Sequence, residues 1–96
     1  MNIHTRLEYQ RIFREHPQDS FLILCGDSWS AKELKAMIRG VCYVMDPSST
    51  LGHNLGLYNH VIFDASFYAA DAVALRWYDN FIADSLASGV RMTAVP

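Results

Sequence analysis

The chain has 96 residues, 51% of them hydrophobic and 19% charged, which is room for one domain and neither a disordered nor a fibrous composition. Eight Lys and Arg against ten Asp and Glu leave a formal charge of −2, which argues against a nucleic-acid module, because counterion release needs clustered cations. Apolar stretches of five or six residues are too short to span a bilayer.

Thr5 and Glu8 form a T-x-x-E capping box, which predicts a helix over about 6–15. Tyr9, Ile12 and Phe13 give it a narrow apolar stripe and Pro17 stops it, so it is expected on the outside of the domain. Residues 21–25 (FLILC) are apolar without alternation, the pattern of a strand buried on both faces. Gly26 and Asp27 end that strand. Ser30 and Glu33 form a second capping box, and Ala31, Leu34, Met37 and Ile38 follow at helical spacing up to Gly40. Residues 41–45 (VCYVM) are the next buried run, and strand, helix, strand at this spacing predicts a parallel βαβ unit. A loop by composition, 46–56 (DPSSTLGHNLG), precedes a third strand at 58–63 and is expected to be mobile and a contact surface.

Asp64 or Ser66 is expected to cap a last helix running to about Ser88. At 1.5 Å per residue it would span about 33 Å. Its apolar arc, with Phe67, Trp77, Tyr78, Phe81 and Ile82, is wider than a small sheet can cover. Asp71 falls within that arc and needs a polar partner. The tail, VRMTAVP, is read as loose or as an added edge strand.

The charge is uneven. Residues 1–40 hold six cations against five anions, and 41–96 hold two against five. Arg6, Arg11 and Arg14 are interleaved with Glu8 and Glu15, as on a solvated helix face. Cys25 and Cys42 lie in apolar runs and read as buried reduced thiols of a cytosolic protein, in keeping with the polar start MNIHTRLEYQ. Neither CxxC nor HxxxH occurs, so no metal and no cofactor is expected. His4 and His16 are expected to be exposed. His53, His60 and Asp64 form a candidate metal or acid–base cluster, because positions 60 and 64 of a strand share a face. The plainer alternative is three separate, singly bonded side chains.

Gly26-Asp27-Ser28, between a buried strand and a helix, is the most suggestive short motif. The stretch FLILCGDSWS resembles the first block of the GDSL/SGNH hydrolases, in which a serine at a strand end attacks an ester. Gly52-His53-Asn54 matches the G-x-N of that family's oxyanion block. Leu55 stands where the family has Asp, and its D-x-x-H block has no counterpart. Asp27-Ser28-Trp29 is also similar to the D-S-L motif of the acyl carrier proteins, whose prosthetic arm sits on the serine. Helices in that family are acidic, whereas Lys32, Lys35 and Arg39 follow here. The local reading is that Gly26 supports the turn and that Asp27, Ser28 or Ser30 caps the helix, so Asp27 and Ser28 are expected to be non-catalytic.

The fold expected is therefore a single α/β (or α+β) domain over 1–96. It has a three-stranded sheet in the order α-β-α-β-β-α, with a long C-terminal helix on one face. The function expected is a small non-enzymatic, cytoplasmic protein-binding module, a modulator or inhibitor of a partner, with phage or mobile-element origin suggested by size alone. Its expected contact residues are His53, Asn54, Leu55, Tyr58, Trp77 and Phe81, because aromatic side chains anchor interfaces. A homodimer through the last helix is expected too. The alternative is a small-molecule or phosphate-binding α/β domain, in one version a hydrolase, using Asp27, Ser28 and Trp29. A pocket at the strand ends would favour the alternative, and exposed aromatics without one would favour a protein partner.

Overall fold

The computed structural model describes residues 2–37, 42–45, 58–69 and 90–95. In chain order these form α1 (Ile3–Glu15), β1 (Phe21–Leu24), α2 (Ser28–Met37), β2 (Cys42–Met45), β3 (His60–Phe63), α3 (Ala65–Tyr68) and β4 (Arg91–Ala94). The strands make one parallel sheet in the order β2-β1-β3-β4. The three expected strands are present, β1 and β2 run parallel, and the tail adds β4 at the edge beside β3. The expectations for Gly40, the 46–56 loop, Asp71 and the helix beyond Ala69 lie outside the described residues.

β1 and β3 are the central strands, buried at all four positions because both of their faces are covered. Phe21 lies opposite His60 and Ile23 opposite Ile62, and these positions face α1 and α2. Leu22 lies opposite Val61 and Leu24 opposite Phe63, and these pack with Phe67 of α3, Tyr58 and Met92 on the other face. Among the described residues, α1 and α2 thus lie on one face of the sheet and α3 on the other. Leu22, Ile23, Leu24 and Ile62 are fully out of water, each contributing on the order of 1.5–3 kcal/mol. Tyr9 and Ile12 of α1 are buried beside Ala31 and Leu34 of α2 while most of the helix is exposed, so α1 packs on the outside of the sheet through its narrow apolar stripe, as expected. Two well-placed large side chains suffice, because Phe13 packs edge-on against Phe21.

Both helix starts lie upstream of the capping boxes. Asn2 caps α1, its side-chain oxygen accepting the Thr5 N–H at 2.8 Å, and Glu8 pairs with Arg11 instead of reaching back. Asp27 caps α2: its carboxylate accepts the Ser30 N–H at 2.7 Å, and its carbonyl accepts the Ala31 N–H. Ser30 is the third residue of the helix, not its cap. Asn and Asp hold such an N–H at least as well as Thr and Ser, so the earlier residue prevails when both are present.

Candidate functional site

The order β2-β1-β3-β4 means that the chain steps outward from β1 to β2 and then crosses back to β3. In open parallel sheets the crevice at such a switch, outside the carboxyl ends of the strands, is the usual place for recognition. Here the turns after β1 and β3 flank it, with Gly26-Asp27 on one side and Asp64-Ala65 on the other.

Asp64 is buried, yet each of its oxygens is satisfied. Oδ1 accepts the Tyr9 hydroxyl at 2.6 Å. Oδ2 accepts the Ser66 N–H at 3.0 Å and the Ser66 hydroxyl at 2.7 Å, so Asp64 caps α3 as the sequence suggested. Ser66 Oγ in turn accepts the Gly26 N–H at 3.0 Å, which ties the two turns together across the switch. Burial, then the neighbouring carboxylate, pushes the Tyr9 phenol far above its ordinary value of 10. Asp27, which is exposed, accepts the Ser30 N–H and, at 3.2 Å, the Ser30 hydroxyl. Beside these turns a recess of about 150 Å³ is lined by Asn2, Thr5, Ser30, Glu33, Asp64 and Ala65, well below the ≈ 300–1,000 Å³ of small-molecule sites.

Large apolar side chains surround this edge. Trp29 is 71% exposed in the first turn of α2, Tyr68 is 59% exposed in α3, and Ile3 is 60% exposed at the start of α1. Of the three residues expected to bind a ligand, Asp27 is a cap, Ser28 is the exposed first residue of α2, and Trp29 stands out in solvent. Among the expected partner contacts, Tyr58 is half-buried against the β1–β3 face, and His53, Asn54, Leu55, Trp77 and Phe81 lie outside the described residues.

His60 and Asp64 share a face but not a site. Four residues at about 3.3 Å each separate the two ends of β3 by about 13 Å. At the amino end the buried His60 ring contacts Asp19 Oδ2 through Nδ1 at 3.0 Å and Thr93 Oγ1 through Nε2 at 2.7 Å. His16 joins them, its ring 5.1 Å from that of His60 and its Nδ1 3.7 Å from Asp19 Oδ2. Arg91 Nη1 contacts both Asp19 Oδ2, at 3.1 Å, and His16 Nδ1. Burial pushes the His60 pKa below 6.5, an effect that Asp19 opposes. Sequence reading missed this cluster, treating His16 as exposed. Its signal was a polar turn (HPQDS) just before a buried strand, which any neighbouring strand must approach.

No family model, curated protein or solved structure matches this chain.

Proposed function

We propose that this chain is a small non-enzymatic protein-binding module, a modulator of its partner, that docks through the carboxyl edge of its sheet. One observation carries the reading: among the described residues at that edge, Asp27 and Asp64 cap helices, while the large side chains of Ile3, Trp29 and Tyr68 stand in solvent. Aromatic groups of this kind supply most of the energy at interfaces, through large buried area at small entropic cost. The use of Asp27 as the α2 cap supports the local, capping reading of Gly26-Asp27-Ser28 over a hydrolase or phosphate site.

The test is affinity capture from the native lysate with the wild type and with a Trp29→Ser/Tyr68→Ser double variant of unchanged circular dichroism. A protein that co-elutes with the wild type and is lost with the variant supports the reading. Equal recovery with both, or no recovery with either, overturns it. Light scattering on the pure chain tells whether the partner is a second copy.

A further inference from the structure

The amino edge of the sheet holds a second, separate constellation. α1 ends at His16, and the turn His16-Pro17-Gln18-Asp19 is closed by the Asp19 N–H donating to the His16 carbonyl at 3.1 Å. Pro17 presets the backbone of such a turn, so His16 and Asp19 are presented together before any ligand arrives. β3 then brings in His60, whose backbone N–H is fixed to the Ser20 carbonyl. One nitrogen from each histidine and one Asp19 oxygen lie within 4.8 Å of one another. From Asp19 Oδ2 the distances are 3.0 Å to His60 Nδ1 and 3.7 Å to His16 Nδ1. Tetrahedral zinc, with bonds of about 2.0–2.2 Å, requires donors roughly 3.3 Å apart. The two spacings from Asp19 Oδ2 fall on either side of that value, and the two histidine nitrogens lie within 4.8 Å of each other.

We propose that His16, Asp19 and His60 form a binding site for a divalent transition-metal ion, with Zn²⁺ the ion whose donor preference and geometry they fit, and with Arg91 as an internal competitor. Two imidazole nitrogens with one carboxylate suit zinc rather than calcium or magnesium, which take all-oxygen donor sets. The protons are compatible with this assignment. Arg91 can only donate, so the His16 Nδ1 that it contacts presents a lone pair to the cluster. The Thr93 hydroxyl on His60 Nε2 either donates or accepts, so it can take an N–H from His60 when Nδ1 turns to a metal. Arg91 already sets a positive group on this carboxylate, and its side chain is 54% exposed, free to swing into water when an ion takes its place.

The experiment is calorimetric titration of the tag-free full chain with Zn²⁺ alone, alongside His16→Ala and Arg91→Ala, both changes at accessible side chains. Expected is one Zn²⁺ per chain, weakened at least about tenfold in His16→Ala and tightened in Arg91→Ala. Thr93→Val, which removes the partner of the His60 ring, is expected to weaken binding about tenfold as well. Absence of saturable binding in both the wild type and Arg91→Ala overturns the proposal, as does binding that His16→Ala leaves unchanged.

Discussion

The Tyr9 hydroxyl donates a 2.6 Å hydrogen bond to Asp64 across 55 residues of sequence, in the buried space between α1 and the end of β3. Because the acceptor is a buried carboxylate, the bond is of the stronger class. Tyr9→Phe keeps the ring packing and leaves one oxygen without this donor, so it is expected to destabilise the fold by about 1.5–3 kcal/mol. Urea unfolding monitored by circular dichroism measures this. A loss below about 0.5 kcal/mol would contradict the role given to this bond.

Capping of α2 separates two neighbouring residues. Asp27→Ala removes the acceptor of the Ser30 N–H and is expected to cost about 1 kcal/mol. Ser30→Ala removes only an exposed hydroxyl contact at 3.2 Å and is expected to stay within about 0.5 kcal/mol. Paired denaturation curves check the ranking, and an equal or reversed order would return the cap to Ser30.

His60 makes stability depend on pH in a stated direction. Burial lowers its folded-state pKa below 6.5, so the unfolded chain takes up a proton more readily than the folded one. This contribution is fully present above about pH 6.5 and is lost as pH falls through that value toward the folded pKa. Melting temperatures at pH 7.5 and 5.5, with a chelator present, should fall on acidification. A melting temperature that rises toward pH 5.5 would mean that the Asp19 attraction outweighs burial.

Trp29 is expected to be dispensable for folding. Its side chain stands in solvent, so Trp29→Ser should change stability by no more than about 0.5 kcal/mol. Thermal unfolding tests this without any partner. A loss of several kcal/mol would show that the indole packs on the fold.

Much of the fold was legible because its signals are local. An unbroken FLILC needs cover on both faces, and the short βαβ spacing fixes β1 and β2 as parallel. The helix starts were displaced because T-x-x-E and S-x-x-E match a template that Asn2 and Asp27 pre-empt by a direct side-chain bond. β4 was left open because MTA beside Arg91 carries no strong strand signal, and its pairing with β3 creates the strand. Of the sites, Asp64 as a cap was readable from its neighbours. The His16, Asp19, His60 and Arg91 group was not, because only the β1–β3–β4 pairing unites residues so far apart in sequence.

The central position of β1 bears on how the chain survives its own synthesis. Phe21 pairs with Cys42 on one side and with His60 on the other, so a chain growing from its amino end gains the β2 partner well before β3. During that interval one flank of Phe21, Leu22, Ile23 and Leu24 shows unpaired backbone groups between wholly apolar side chains, an open template for strand addition by another molecule. Slow translation just before His60 would prolong this state, and truncations ending there should accumulate as aggregates or chaperone clients.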